Sequence, residues 1–169
     1  MIHPLVKIIT VDGFFKQEEA TRMSMVVENL QYEKSEFGKE IPNFNLVPPD
    51  ADKLFSDIIG AKLTVDQDRS GVFRFPELFV HFEGFDGMDE WCFAVALWPS
   101  TFNVYENLNG PKNALEGHQL GYRNMFEWDC KINYLLDPGQ GVLFRPWLFH
   151  SFDSGLIQMF RLRELPNDN

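Results

Sequence analysis

No run of about 18 consecutive apolar residues occurs in the 169-residue chain, so the sequence offers no membrane-spanning helix. Cysteine is scarce. Cys92 and Cys130 are the only two, neither sits in a CxxC or other closely spaced framework, and free thiols in a reducing compartment are expected. Positive charge is also short: 15 Lys and Arg stand against 25 Asp and Glu, a net charge of -10, with no basic stripe to neutralise a row of phosphates. This argues against bulk nucleic-acid binding. Met1-Ile2-His3-Pro4 opens no signal-peptide pattern, and internal repeats and low-complexity segments are absent. The expected location is the cytoplasm, and the expected partner is a small molecule or a side chain.

What the chain does have is aromatic weight. Seventeen Phe, 4 Trp and 4 Tyr in a composition that is 44% hydrophobic favour pleated, half-buried surfaces. The length fits one domain over 1–169, with a helical N-terminal part at about 12–60 and a β-sandwich at about 61–166. Leu5 to Val11 reads as an opening strand closed by the Asp12-Gly13 turn, and Lys16 to Leu30 as an amphipathic helix through Ala20, Met23, Val27 and Leu30. Gln31 to Pro49 reads as a loop holding one short strand. A second helix follows, with Asp50 as its N-cap and Gly60 just past its end. After Gly60 eight short apolar runs, among them "GVFRF", "ELFVHFEGF", "WCFAVALW" and "LIQMFRLREL", are separated by Asp, Asn, Gly and Pro clusters. The fold class is therefore mainly β with flanking N-terminal helices, a double-stranded β-helix (jelly roll, cupin-like).

Within "FVHFEGF", His81 and Glu83 lie two residues apart, so on a strand they project from the same face. A buried imidazole and a buried carboxylate each need a partner. A metal would answer for both; a strand with one wet face would answer as well. His150 follows a Pro138-Gly139 turn and the apolar stretch Gly141 to Phe144, where it is either a hydrogen-bonded strand-end histidine or a third ligand. Two histidines and one carboxylate with open positions form the facial triad of non-heme Fe(II) oxygenases. Arg161 and Arg163 share a parity of the strand Leu156 to Leu165, and a guanidinium there needs a planar anion such as a dicarboxylate, or else Glu164 or solvent.

The ordered set of HxE, a distal His and an Arg eleven residues beyond it resembles the Fe(II)/2-oxoglutarate-dependent oxygenase superfamily, including its prolyl-hydroxylase-like and phytanoyl-hydroxylase-like branches. "IITVDGFFKQEEATRM", "SGVFRFPELFVHFEGF", "FAVALWPSTFNVY" and "DPGQGVLFRPWLFHS" are similar to successive parts of such enzymes, over nearly the whole chain. The resemblance implies His81, Glu83 and His150 as the ligands of Fe(II), and Arg161 as the residue that holds the distal carboxylate of the co-substrate 2-oxoglutarate. It implies hydroxylation coupled to decarboxylation of 2-oxoglutarate to succinate. Glu83 stands where aspartate is usual, and Arg163 where many relatives carry Ser or Thr. Phe79, Phe85, Trp98, Trp147 and Phe149 are candidates for a dry wall around the metal, with Tyr105 and Tyr134 as candidate donors.

Weaker candidates are His3, His118, Asp86 and Asp89, and Cys92 reads as packing. The alternatives to the oxygenase are a catalytically inactive jelly-roll binding or structural module, and a metal-dependent cupin-type enzyme that does not use 2-oxoglutarate. Substrate choice would reside in loops such as Gln31 to Pro49 and Asn107 to Arg123.

Overall fold

The computed structural model describes residues 8–34, 39–41, 46–75, 79–117, 127–153 and 155–166. Ten strands and two helices run in the order β1 (Ile9–Val11), α1 (Gln17–Glu28), β2 (Glu33–Lys34), β3 (Lys39–Ile41), α2 (Ala51–Ile59), β4 (Leu63–Arg74), β5 (Glu90–Ala96), β6 (Ser100–Asn107), β7 (Trp128–Leu136), β8 (Gly141–Phe144), β9 (Phe149–Asp153) and β10 (Leu156–Glu164). They form a seven-stranded sheet, β1-β8-β5-β10-β4-β3-β2, and a three-stranded sheet, β7-β6-β9, with antiparallel pairing throughout. This is the mainly β, jelly-roll fold with N-terminal helices that the run lengths and turn spacing predict.

Both faces of the large sheet are covered, which is why β5 and β10 read as near-continuous apolar runs. Cys92, Ala94 and Ala96 of β5, with Phe144 of β8 and Ile157 and Met159 of β10, face the small sheet and its Phe102 and Phe152. Phe93, Val95, Phe160 and Leu162 point to the other side, where α1 and α2 supply Ala20, Val27 and Phe55. Phe14, Phe55, Phe93 and Phe160 interlock there, with ring centroids 4.8 to 6.1 Å apart. Each such ring is worth about 1.5–3 kcal/mol of burial.

Several boundaries differ from expectation for identifiable reasons. α1 ends at Glu28, leaving Leu30 exposed, and its buried face includes Ser24, whose hydroxyl donates to Thr21 O at 2.7 Å. Asp50 occupies the N-cap of α2 without a side-chain cap bond; the carboxylate that takes a backbone amide is Asp52, which accepts from Val65 N–H at 2.8 Å. Gly60, at φ +78°, closes α2 in the left-handed conformation that glycine adopts without strain. "AKLTV" and "GVFRF" belong to one strand, β4. Of the expected strand "ELFVHFEGF", the described residues 79–85 form an irregular segment tied to β9 by an isolated antiparallel bridge between His81 and His150. β1 falls within the expected opening strand, and the part read as helical supplies two short strands, β2 and β3, to the large sheet where one was expected. His3 and His118, with the rest of 118–123 at the end of the loop Asn107 to Arg123, lie outside the described residues.

Candidate metal centre

Two hydrogen bonds bring the distant histidines together. His81 N–H donates to His150 O at 2.9 Å and His150 N–H to His81 O at 2.8 Å, the pattern of directly opposed antiparallel residues, whose side chains share one face. Glu83 N–H then donates to Pro146 O at 2.8 Å, so the two-residue alternation survives past His81 although the strand does not. The three side chains converge. One donor atom from each of His81, Glu83 and His150 lies within 4.8 Å of the others.

The orientation of both rings is fixed from behind. His81 Nδ1 donates to Phe79 O at 2.9 Å and His150 Nδ1 to Leu148 O at 2.8 Å, since a carbonyl oxygen can only accept. In the neutral rings this leaves the Nε2 lone pairs facing forward, as metal-binding histidines require. Glu83 Oε1 lies 3.3 Å from His81 Nε2 and 3.5 Å from His150 Nε2. Burial and the neighbouring His81 hold the His150 imidazole below its ordinary pKa of 6.5, against the pull of Glu83. Burial works to raise the Glu83 carboxyl, but the two imidazoles prevail and keep it well below 4.5. At neutral pH an anionic Glu83 oxygen and the uncharged His150 imidazole thus meet at one point with His81 Nε2. Buried His150 Nε2 has no hydrogen-bond partner. A donor set of two imidazoles and a carboxylate suits a divalent cation.

The aromatic wall is not the one expected. Phe75 and Phe79 stack on His81 with centroids 5.8 and 5.9 Å away, and Phe144, Phe102 and Phe152 surround His150 at 4.7, 5.8 and 5.7 Å. Of the five candidates read from the sequence, Phe79 stacks on an imidazole ring. Phe149 neighbours His150 in sequence and so points to the opposite face of β9, where Phe82 and Trp128 meet it and Phe85 packs on Trp147. Trp98 belongs to the helix-covered side, under the Arg74 guanidinium at 5.1 Å. Tyr105 places its hydroxyl 3.1 Å from Ser151 Oγ, beyond the sheet from the imidazoles, and Tyr134 packs partly buried against the core.

Arg161 stands directly behind Glu83, and its fork is engaged. Nη1 lies 3.4 Å from Glu83 Oε2, while Nη2 donates to Glu90 Oε2 at 3.0 Å and to the Gly84 carbonyl. Burial would lower the Arg161 pKa, but Cys92, Glu83 and Glu90 around it raise it, so the charge is permanent. Arg163 donates to Glu90 Oε1 at 2.7 Å rather than meeting Glu164, which instead accepts from Trp91 Nε1 at 2.5 Å. Asp86 lies 3.6 Å from Arg69 and Asp89 3.8 Å from Arg163, so both serve arginines. Cys92 is buried opposite Arg161 on the β5 and β10 ladder, and burial pushes its thiol pKa up strongly. Neither cysteine is in a disulfide.

Glu90 and Arg69 are the participants that sequence reasoning missed. Glu90 is 2% exposed and accepts from Arg69, Arg161 and Arg163. Burial would raise its carboxyl pKa, but the guanidiniums lower it to about 2. The signal was its parity: Glu90 falls opposite Arg163 once β5 is laid on β10. Beside this cluster opens a cleft of about 420 Å³, lined by Glu40, Asp68, Arg69, Ser70, Gly84 and Arg161 among others.

No protein-family model matches the chain, and no curated protein matches it in sequence. Solved structures do match. HygX from Streptomyces hygroscopicus, with nickel and 2-oxoglutarate bound, aligns over 95% of this chain and 84% of its own at 12% identity, with a TM-score of 0.57. The chain has the fold of HygX. The HygX structure with nickel, 2-oxoglutarate and hygromycin B gives a TM-score of 0.60 at the same coverage and identity. Apo HygX gives 0.51 at 11% identity, covering 95% of this chain and 82% of HygX.

Proposed function

We propose that this protein is an Fe(II)/2-oxoglutarate-dependent oxygenase, of no assigned branch, that hydroxylates a small molecule or side chain in the cytoplasm. The observation that carries the reading is the convergence of His81, Glu83 and His150 within 4.8 Å, in the fold of a protein whose structures hold nickel and 2-oxoglutarate. His81 and His150 would bind the metal through Nε2 and Glu83 through its carboxylate, leaving part of the coordination sphere open. Iron(II), with 2-oxoglutarate and dioxygen, supplies the oxidising power for C–H hydroxylation as 2-oxoglutarate is converted to succinate and carbon dioxide.

The chain's own residues orient and exclude. The carbonyls of Phe79 and Leu148 hold the imidazoles in the tautomer that presents Nε2. Phe75, Phe102, Phe144 and Phe152 keep water from the ligands, which strengthens every electrostatic interaction there. Arg161, already within reach of Glu83, would receive the distal carboxylate of 2-oxoglutarate by exchanging one carboxylate partner for another. Glu83 as a ligand fills the position that halogenating relatives leave open for chloride, which favours hydroxylation. HygX was crystallised with hygromycin B, and a hydroxyl-rich small molecule is the class of substrate to try first.

The Glu83 and Arg161 contact also favours a second reading, a jelly-roll module in which that ion pair is purely structural. Anaerobic titration with Fe(II) and then 2-oxoglutarate separates the two. A weak visible charge-transfer band is expected in the wild type and lost in His81→Ala; folded protein without the band would leave the second reading standing.

A further inference from the structure

A second guanidinium stands beside Arg161. β4 and β10 pair in register to Gly71 opposite Met159 and resume at Asp66 opposite Arg161, so residues 67–70 of β4 bulge out against Phe160 alone. Bulges re-aim side chains. This one is anchored by Ser70, whose Oγ accepts Arg161 N–H at 3.0 Å and donates to Asp66 O at 2.6 Å. Its effect is to carry Arg69 onto the acceptors that Arg161 uses. Arg69 Nη2 donates to Gly84 O at 2.7 Å, and its two terminal nitrogens reach Glu90 at 3.1 and 3.2 Å.

Both guanidiniums line the cleft of about 420 Å³, a volume within the range of small-molecule sites. Arg161 is 5% exposed and its Nε has no hydrogen-bond partner, whereas the Arg69 side chain is 34% exposed. Three arginines share the buried carboxylate of Glu90, while Asp66 and Asp86, the other carboxylates within 4.0 Å of Arg69, are more exposed. Arg163, at the position where many relatives carry Ser or Thr, turns to Glu90 with its side chain 46% exposed and does not line the cleft.

We infer that Arg69 is a second anion-binding residue of this cleft, receiving with Arg161 the distal carboxylate of the co-substrate. The inference rests on the 2-oxoglutarate reading above. Glu90 stays behind the pair as a fixed counter-charge that holds both forks in place, while Glu40 and Asp68 on the same lining disfavour larger polyanions.

The test is anaerobic calorimetry on the full chain with Ni(II) in place of iron, adding Ni(II) first and then either 2-oxoglutarate or 2-oxobutyrate, which lacks the distal carboxylate. Arg69→Gln is expected to leave Ni(II) affinity at the wild-type value, to weaken 2-oxoglutarate about tenfold and to leave 2-oxobutyrate unchanged. Arg69→Lys is expected to recover part of the loss and serves as the reporting variant if Arg69→Gln does not fold. Equal weakening of both keto acids, or of neither, would reduce Arg69 to a structural clamp and overturn the inference. Failure of the wild type to bind Ni(II) or 2-oxoglutarate would overturn the proposed function together with this inference, and is seen before any variant is made.

Discussion

The two oxygens of Glu83 look into unlike surroundings. Oε1 faces the imidazoles of His81 and His150, where three potential ligand atoms converge and His150 Nε2 is left without a hydrogen bond. Oε2 faces Arg161, behind which Glu90, Arg69 and Arg163 close a network of charge-assisted bonds. The first side gathers potential metal ligands, while the second holds its own counter-charges. The contrast teaches that a low-exposure polar cluster is not one kind of object: the guanidinium side pairs its charges internally, and the imidazole side gathers three atoms that could hold a metal ion.

That contrast sets four expectations. The largest effect belongs to Glu90→Ala, which strips Arg69, Arg161 and Arg163 of their shared partner and should destabilise the fold by about 3 kcal/mol or more, read from the midpoint of urea unfolding. Acid should act on the same group. Its pKa of about 2 in the folded chain, against an ordinary 4.5, means that its contribution is complete above pH 4.5 and is lost as pH falls toward 2. The loss should be on the order of 3 kcal/mol and should be missing from the pH profile of Glu90→Gln.

On the imidazole side the effect should appear in binding instead. His150→Ala should weaken Ni(II) at least about 100-fold by calorimetry, as much as the strongest outer-sphere partners contribute. At the small end, Arg163→Ala, whose side chain is half exposed at the edge of the network, should leave both the urea midpoint and Ni(II) affinity at their wild-type values. An Arg163 variant as damaging as Glu90→Ala would erase the distinction between the buried and the peripheral members of the network.

Much of the site was legible because side-chain parity survives where regular structure does not. The two-residue spacing of His81 and Glu83 held although their segment is only bridged to β9, since Glu83 N–H still finds a carbonyl at Pro146. His150 and Arg161 were legible from order along the chain and from apolar runs that had to be strands. The aromatic wall was not, because sequence neighbours such as Phe149 point away from His150, and the rings that do pack there arrive from β6, β8 and residue 75. Arg69 was beyond reach for a different reason: its position depends on a bulge in β4, and nothing in "DQDRSG" announces where a ladder slips. Glu90 needed the pairing of β5 with β10, a contact between residues 73 positions apart.

The rung that joins His81 to His150 consists of two backbone hydrogen bonds, continued by one at Glu83. Any ion gripped by these side chains would therefore also rivet the segment carrying residues 79–85 to β9. Occupancy and local opening become one equilibrium, so amide protons at His81 and Glu83 would exchange with solvent more slowly as the ion concentration rises, while those of distant β7 would keep their pace.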